Sequence, residues 1–494
     1  MTSTVQQAQP ATSFRRVLAG GMAGSVLEWY DFAIYGVLAA TVLGPLFFPG
    51  GSGIVQLLLA LATQGLGFVA RPLGGIVFGH LGDKFGRKPM LVTTFLLLGT
   101  STAAIGLLPT YHQIGIWATL LLVVLRMTQG FALGGEFGAA VLMVSEYGEP
   151  RRRGFWASWP QAGAPLGTVL ATVVVTVLGG LFPGDAFDAW GWRVAFLVAV
   201  PLLVIGFWIR RSVEESPVFQ AARAGAERKA AHRSSVLEAL ARPRAVLHGL
   251  GMRLGENIAF YIYTVFVIAY ATTSFGYQRG DVVLAVTFAS VCQFAGMIGG
   301  GAWSDRVGRK IAMLVPAIAL VVWAPVFFWM VQTASVPMLW LGVCAGALFH
   351  GMLAGPEAAW ITELFPTRYR YAGSSLVFQG SSIIAGAPAP LIAVWLINSV
   401  GVGAVIGYLV LTMAITVLAV ATSRQSMGGP PDRVCLSGGG GPGPRAAPAA
   451  TWRAPSCRAC RCPRHPPAPP APRSPRRRAR YRAPGPARRG EQPS

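Results

Sequence analysis

Long apolar stretches, each followed by a short polar segment, fill the chain between residues 17 and 421. Most of them contain about 18 residues or more, the length of helix that crosses a hydrocarbon core of ~30 Å. This pattern predicts an all-α membrane protein with twelve transmembrane helices. We place them at about 17–43, 54–79, 90–108, 114–144, 155–181, 194–209, 245–273, 282–303, 311–331, 336–362, 372–397 and 402–421.

A polar segment rich in Arg, Ala, Glu and Ser divides these stretches into two groups of six. We therefore predict two pseudo-symmetric six-helix bundles, 14–210 and 245–423, joined by a central loop at 211–244. A short segment, 1–13, precedes the first bundle. A tail rich in Pro, Arg, Ala and Gly, 424–494, follows the second, and its composition predicts disorder.

The polar turns alternate in basic content, which sets the orientation of a membrane protein. One set of turns carries most of the Lys and Arg residues, and the other set carries Asp185, Asp188 and a single Arg279. The basic set includes both ends of the chain and the central loop, so we expect the N- and C-termini in the cytoplasm. Glu28 and Asp31 interrupt the first apolar stretch, which argues against a cleaved signal peptide.

The composition agrees with a lipid environment. It also shows that the high positive charge of the chain is not evidence for nucleic-acid binding. Hydrophobic residues make up 53% of the chain and charged residues only 12%, well below the roughly 25% of soluble domains. The net charge is +22, but the tail alone holds 15 Arg against two acidic residues and supplies +13 of it. The remaining excess is explained by membrane topology, so no nucleic-acid partner is expected. The expected partners are the lipid bilayer, a small-molecule substrate and protons, and we expect a monomer.

An internal repeat relates the two halves. The segment GHLGDKFGRK at 79–88 returns as GAWSDRVGRK at 301–310, in each case after the second stretch of its half. A second pattern is also repeated. Glu146 is followed by Arg residues five and seven positions later, and Glu363 is followed by Arg residues at the same two distances. Two copies in register with the hydropathy pattern indicate parallel duplication, a plan known in transporters.

The residue types in this repeat predict a gate at the cytoplasmic face. Gly86 and Gly308 allow tight turns, and an acid in a basic turn can cap the next helix or pair with a basic residue nearby. A plain orientation signal is the alternative interpretation of the basic residues. We assign the gate to Gly79, Asp83, Gly86, Arg87, Lys88, Glu146, Asp305, Gly308, Arg309 and Glu363.

Charged residues also occur at bilayer depth, where they are costly and usually functional. At ~1.5 Å per residue, Glu28 and Arg71 each lie ~18 Å from the cytoplasmic edge, and Asp31 follows Glu28 by one turn. Arg126 is central in the fourth stretch. A guanidinium grips a carboxylate with two hydrogen bonds, so Arg71 and Arg126 are candidate anion anchors. The predicted substrate-binding set is Arg71, Arg126, Tyr35, Gln129, Tyr261 and Gln379.

Three buried acids are candidates for proton coupling. Burial opposes ionisation of a carboxyl group and a neighbouring Arg favours it, so both states are accessible. Asp31 is the first choice, Glu28 the second, and Glu136 the third. A static network of salt bridges is the alternative for Glu136 with Arg126, and for Arg253 with Glu256.

Motifs for other chemistries are missing. The chain has no Gly-Lys dipeptide, and hence no Walker A loop, and it has no HExxH or GxSxG. Cys457, Cys460, Cys462 and His465 lack a second well-spaced pair of ligands, so no metal site is expected. We predict no enzyme activity and no cofactor.

These motifs together resemble the major facilitator superfamily and, within it, the metabolite:proton symporters. The resemblance covers about residues 14–423. It rests on Glu28-Trp-Tyr-Asp31-Phe-x-x-Tyr35-Gly, Arg71-Pro-Leu-Gly-Gly, the 79–88 turn, Arg126-x-x-Gln129-Gly-Phe-x-x-Gly-Gly-Glu136, Gly191-Trp-Arg193 and Glu214-Glu215-Ser-Pro217-x-Phe219. It implies that the acids of the first helix and Arg71 belong to the central path, and that Asp83 and Asp305 belong to the gate. The tail departs from the family pattern, and we attribute it to a frame change or misassigned reading frame.

The expected function is import of a small organic acid, such as a mono-, di- or tricarboxylate or a shikimate-like acid. Import would use proton symport and alternating access in a bacterial inner membrane. Two alternatives remain open: proton-coupled uptake of an osmolyte such as proline or betaine, and a non-transporting nutrient sensor on the same fold.

Overall fold

The computed structural model describes residues 14–423 except 51, 185, 214–234, 367–368 and 387. Within these residues the regular structure is entirely helical, with twelve long helices in the predicted order. They are α1 (Phe14–Leu38), α2 (Gly53–Phe85), α3 (Arg87–Gly106), α4 (Ile116–Tyr147), α5 (Arg153–Leu181), α6 (Trp192–Leu197 and Ala199–Arg211), α7 (Pro243–Tyr261 and Val267–Phe275), α8 (Arg279–Val307), α9 (Arg309–Gln332), α10 (Val336–Glu363), α11 (Arg370–Ser381 and Ala389–Ser399) and α12 (Val402–Thr422).

Ten of these helices are long and apolar enough, by composition alone, to cross a membrane. The two that miss this criterion are α1 and α7. Each carries two charged residues well inside its length, Glu28 with Asp31 and Arg253 with Glu256, and all four are buried. These charges lower the mean hydropathy of α1 and α7, which explains why the two helices miss the criterion. The rest of the bundle covers the charged side chains. The predicted twelve-helix fold is confirmed, and the sidedness of the termini stays a prediction.

Single π-helical turns interrupt the regular hydrogen bonding of two helices in the second half. One, Ile262–Phe266, lies inside α7, and another, Ser382–Gly386, lies inside α11. Such turns are often found at functional sites because they re-aim neighbouring side chains. In both helices the turn lies directly after polar residues that the structure places in the interior.

The two copies of the repeat form the same turn. Gly86 separates α2 from α3 with φ 112°, and Gly308 separates α8 from α9 with φ 89°. A side chain at either position would be strained, which explains why glycine stands at both. We call the end of the molecule that carries these two turns the repeat-turn face.

Several pairs of helices join the halves, among them α2 with α11, α5 with α8 and α4 with α11. Small residues allow the backbones to approach closely, since Gly79 packs on Ala372 and Gly301 packs on Ser158. Tyr371 of α11 fills the space over Gly82, and its Oη donates a 2.5 Å hydrogen bond to the carbonyl of Gly135. The halves are therefore closed against each other at this face.

Several predicted features lie outside the described residues. They include most of the central loop, the Glu214–Phe219 motif and the whole of the 424–494 tail. The side chain of Asp83 also lies outside what the structure describes.

Candidate functional site

A small cavity in the first half brings together the charged residues that the sequence placed at bilayer depth. Helix α1 presents Glu28 and Asp31 one turn apart, α2 contributes Arg71, and α4 contributes Arg126 and Gln129. These residues line the cavity with Phe32, Gln64, Gly67, Phe68, Gly130 and Leu133.

Asp31 is held by several donors at once. One of its oxygens, Oδ2, accepts a hydrogen bond from Arg126 Nη1 at 2.7 Å. The other, Oδ1, accepts from Thr102 Oγ1 at 2.9 Å and from Gln129 Nε2 at 2.8 Å. Gln129 also receives a bond from Arg126 Nη1 at 3.0 Å. Three helices, α1, α3 and α4, thus fix this carboxylate in place.

Arg126 is also held from its flat side. Its guanidinium lies 3.4 Å from the centre of the Tyr35 ring, a cation–π arrangement. The Tyr35 hydroxyl donates to the carbonyl of Ala60 at 3.1 Å and also contacts Thr63 Oγ1. This packing fixes the plane of the guanidinium and therefore the direction of its donors.

Glu28 is held much more lightly than Asp31. Among the described residues its ion pair is with Arg71, at 3.2 Å between Oε1 and Nη1. Arg71 in turn lies over the Phe68 ring, 4.4 Å from its centre. Arg253 of the second half is also within electrostatic range of Glu28. A ligand that bound Arg71 would therefore need to displace only the Glu28 carboxylate from it.

Both arginines have buried donors that are not used. The Nε atom of Arg71, and the Nε and Nη2 atoms of Arg126, have no hydrogen-bond partner within the part of the chain that the structure describes. Buried donors without a partner are costly, so an acceptor that reached these atoms from the cavity would be favourable there. The chemistry of these donors suits a carboxylate oxygen.

Aromatic rings connect this cavity to the second half. Trp29 and Phe260 pack edge to face with their centres 4.8 Å apart, and Phe32 and Tyr261 do so at 6.2 Å. Tyr261 is within electrostatic range of both Arg71 and Glu28. The predicted substrate residue Gln379 is not among the lining residues; it lies at the interface of the halves, where its Nε2 donates to the carbonyl of the lining residue Leu133 at 3.2 Å.

Glu136 lies apart from the cavity, in a buried ion pair that the sequence did not indicate. Its Oε1 accepts from Arg210 Nη2 at 2.6 Å, and each residue is 1% exposed. Arg210 also donates to the carbonyls of Gly20 at 2.9 Å and Leu91 at 2.8 Å. This placement favours the static alternative for Glu136. Arg210 was missed because it stands at the end of an apolar stretch, where a basic residue is expected at the membrane edge.

At the repeat-turn face, the second copy of the repeat contacts the first half directly. Asp305 accepts hydrogen bonds from the backbone N–H groups of Gly154 and Phe155, both at 2.8 Å. These groups belong to the first turn of α5, where the helix dipole favours an anion. Arg309 binds Asp305 at 2.7 Å and reaches Glu363 at 3.5 Å.

Glu146 occupies a similar position between the halves. It forms an ion pair with Arg87 of the first half and lies 3.7 Å from Arg370 Nη1 of the second. Most of the predicted gate residues therefore lie together at this face. Lys88 is in the first turn of α3, beside Arg87.

A second buried charge cluster occupies the second half, and the sequence indicated only part of it. Arg253 binds Glu357 at 2.8 Å and lies 3.4 Å from Glu256, which in turn lies 3.2 Å from His350. Arg253 with Glu256 was visible as a pair on one helix. Glu357 and His350 stood in the sequence as isolated polar residues of α10.

Comparisons with known proteins agree with this architecture. The sequence profile described as "Major Facilitator Superfamily" matches residues 21–390 and, in a second match, 257–453. The solved structure of the proton:xylose symporter XylE superimposes with a TM-score of 0.65 at 15% sequence identity, covering 83% of this chain and 94% of that one. At this identity the likeness concerns the fold alone.

Relatives with closer sequences are bacterial transport proteins. The inner membrane metabolite transport protein YhjE of Escherichia coli is 36% identical over 427 residues, 85% of this chain and 96% of that protein. The shikimate transporter of E. coli is 36% identical over 392 residues, covering 78% and 88% of the two chains. The glycine betaine/proline/ectoine/pipecolic acid transporter OusA of Dickeya dadantii is also 36% identical over 392 residues, covering 78% of each.

Proposed function

Because this chain belongs to the Major Facilitator Superfamily, and within it to the metabolite:proton symporters, we propose that it imports a small organic acid together with protons. It is a transporter of metabolites and not an enzyme, and it is a multi-pass protein of the inner membrane. The nature of the substrate and the coupling mechanism are the proposal.

The observation that carries the proposal is the set of unused guanidinium donors beside Glu28 and Asp31. Two arginines and two carboxylates give this cavity no net charge when both acids are ionised. A monoanion that entered alone would leave an uncompensated charge in the membrane interior. Entry of a monoanion with one proton keeps the cavity neutral, so a carboxylate and a proton form a compatible pair of ligands.

The proton would be carried by Glu28. A substrate carboxylate that takes the donors of Arg71 competes with the 3.2 Å contact to Glu28. A buried carboxylate that loses its cation is costly unless it binds a proton. Substrate binding thus favours protonation of Glu28, and by reciprocity protonation favours substrate binding. Asp31, with its three hydrogen-bonding partners, would orient Arg126 for the substrate.

Alternating access would require the contacts at the repeat-turn face to open. Asp305 on the N-terminus of α5, Tyr371 over Gly82 and the Glu146 pairs join the halves there. When the halves separate, the polar groups of these contacts can form hydrogen bonds with water instead. The side chains of a purely apolar seal could not do so. We therefore assign them to closure of one side of the central path.

A second candidate function is uptake of a zwitterionic osmolyte. The connected rings of Trp29, Phe32, Phe260 and Tyr261 lie beside Glu28 and Arg71, and aromatic faces bind quaternary ammonium groups. The carboxylate of betaine or proline would use the same arginine donors.

Uptake into proteoliposomes under an inward proton gradient distinguishes the candidates. Labelled shikimate, 2-oxoglutarate and citrate represent organic acids, and labelled glycine betaine and proline represent osmolytes. We expect concentrative uptake of an organic acid, with osmolytes unable to compete. Preferential uptake of betaine or proline would support the second candidate instead. Binding without counterflow would indicate a sensor and contradict transport.

A further inference from the structure

The buried charge cluster of the second half contains one acid more than it has permanent cations. Its members are Arg253 and Glu256 of α7 with His350 and Glu357 of α10. Glu357 is 0% exposed and His350 is 1% exposed. With the imidazole neutral and both carboxylates ionised, the cluster would carry a charge of −1.

Among the residues that the structure describes, no charged side chain of a neighbouring helix pairs with this cluster. The residues that α8, α11 and α12 contribute near the cluster are Gln293, Ser381 and Thr416, which are uncharged. On the cavity side, Glu28 is in electrostatic range of Arg253, and the phenol of Tyr261 is in range of Arg253 and Glu256. Glu28 is itself paired with Arg71, so that pair has no net charge. An isolated charge is unfavourable in such a place, and a carboxyl or imidazole group avoids carrying it by binding or releasing a proton.

The internal repeat explains how the excess acid arises. Arg71 and Gln293 are separated by 222 positions, the same spacing as Asp83 and Asp305. The first half therefore has an arginine at the position where the second half has a glutamine. In the first half Arg71 neutralises Glu28, whereas in the second half Gln293 contacts His350 and neutralises nothing.

The structure provides positions for the missing proton. Gln293 Nε2 donates to His350 Nδ1 at 2.8 Å, and His350 Nε2 lies 3.2 Å from Glu256 Oε1. A half-turn of the Gln293 amide would present its oxygen to a protonated Nδ1, so the same contact serves both states of the ring. On the other side of Arg253, Glu357 Oε1 is buried without a hydrogen-bond partner among the described residues.

We propose that this cluster is a second protonation site, which binds one exchangeable proton shared by His350, Glu256 and Glu357. The site is separate from the Glu28 site and lies in the opposite half of the molecule. Its proton belongs to the cluster as a whole, because the members are in direct contact. Since Arg253 acts on Glu28 across the cavity, the occupancy of this site also changes the field at the proposed substrate position.

The test counts protons by the pH dependence of unfolding, using purified full-length protein in mixed micelles without substrate. If the folded cluster binds one proton that the unfolded chain has released, the unfolding equilibrium constant rises tenfold per pH unit as pH increases. Glu357→Gln removes the excess acid, so we expect its pH dependence to be shallower than that of the wild type by this tenfold factor. Glu149→Gln, in an exposed ion pair with Arg152, is the control and should match the wild type.

The outcomes separate the proposal from its competitors. His350→Gln keeps the excess acid and should retain the steep dependence, with the proton on a carboxyl group. An unchanged slope in Glu357→Gln would overturn the proposal. If Glu357→Gln fails to fold, Glu256→Gln removes the same charge and must give the same result. Loss of the wild-type slope on adding sodium in place of choline would identify a sodium site and also overturn it. No transport occurs in this assay, so the result does not depend on the proposed substrate.

Discussion

Two carboxylates one helical turn apart on α1 have very different surroundings. Asp31 accepts hydrogen bonds from Thr102, Arg126 and Gln129, whereas the ion pair of Glu28 among the described residues is with Arg71 alone. A group that exchanges protons must lose and regain its partners in every cycle. The sequence put Asp31 before Glu28 as the candidate proton carrier; because its surroundings are simpler, we propose Glu28 first.

Glu28→Gln should abolish uphill accumulation while counterflow of internal for external substrate persists. The neutral amide cannot carry a proton, but it leaves the donors of Arg71 available. Asp31→Asn should weaken binding and counterflow as well, because it disrupts the network that fixes Arg126. Both are measured in proteoliposomes with Glu149→Gln as control. If accumulation by Glu28→Gln stayed uphill and driven by pH, Glu28 would not be the proton site.

Arg71→Ala should weaken substrate binding by roughly 10- to 100-fold, since hydrogen bonds to charged groups contribute about 1.5–3 kcal/mol. Arg71→Lys keeps the charge but not the paired donors, and we expect it to recover only a small part of the affinity. Calorimetric titration of purified protein with the substrate measures both. Wild-type affinity in the alanine variant would contradict the anchor role.

The ion pair of Glu136 with Arg210 is expected to act on stability and not on coupling. Glu136→Gln leaves a buried guanidinium unpaired, a loss of roughly 3–5 kcal/mol in the free energy of unfolding. Glu136→Gln combined with Arg210→Met should recover much of this loss, and each folded molecule should still accumulate substrate. Unfolding in mixed micelles and uptake per inserted molecule are the measurements. Loss of accumulation with intact counterflow would instead return Glu136 to the coupling path.

Single residues show where sequence reasoning succeeds and where it stops. Depth along a helix follows from counting residues, so the sequence alone places Glu28, Asp31, Arg71 and Arg126 at one level. Which partner each acid chooses depends on helix rotation and packing between helices. Nothing in the spacing of Arg210 relates it to Glu136, 74 positions away. The helix of Glu136 also carries Arg126, ten positions earlier, so the sequence pointed to Arg126 as the partner of this acid.

At the scale of helices, Asp305 joins α8 to the N-terminus of α5 and links the halves. Asp305→Asn removes the charge and presents an amide N–H toward one of the backbone donors of Gly154 and Phe155. We expect the closed repeat-turn face to be less populated, the maximal transport rate to fall and the substrate affinity to change little. We expect Asp83→Asn, in the first copy of the repeat, to lower the maximal transport rate more than Asp305→Asn does.

The change of population can be observed directly in a background without native cysteines. Ser158 is fully buried between the halves, so a Ser158→Cys probe should be labelled slowly in the parent and faster with Asp305→Asn. Glu149→Gln, another acid near the start of α5, serves as the control and should not change labelling. Altered affinity with an intact transport rate would contradict the gate assignment.

Most helix boundaries followed from the sequence to within a few residues, but α2 continues to Phe85, six residues past its predicted end, and the helix interruptions were not predicted. The turn glycines Gly86 and Gly308 were indicated by the repeat because a tight turn requires them. The π turns in α7 and α11 left no comparable mark in the hydropathy pattern. They depend on how each helix packs against several others, which no local pattern records.

At the scale of the whole molecule, duplication gives two similar halves with different charge balances. In the first half Arg71, Arg126 and Arg210 pair with Glu28, Asp31 and Glu136. In the second half, Arg253 is the one arginine among the described residues that pairs with Glu256 and Glu357. The hydropathy pattern predicted the twelve helices, and the repeat predicted the shared turns. The difference in charge balance arises at positions where the copies diverge, such as Arg71 and Gln293, and it becomes visible only in the contacts between helices.

The energy source is a property of the whole molecule. The chain has no Walker A loop, and the proposed cavity is neutral when a monoanion and one proton bind together. We therefore expect uptake to increase as the external pH falls and to be abolished by a protonophore. Replacing sodium by potassium should not change it. For a monoanion with one proton, a membrane potential imposed without a pH gradient should not drive accumulation, since no net charge crosses. Proteoliposomes with valinomycin-clamped potentials test each condition separately. Uptake that needed sodium and ignored pH would contradict proton symport itself.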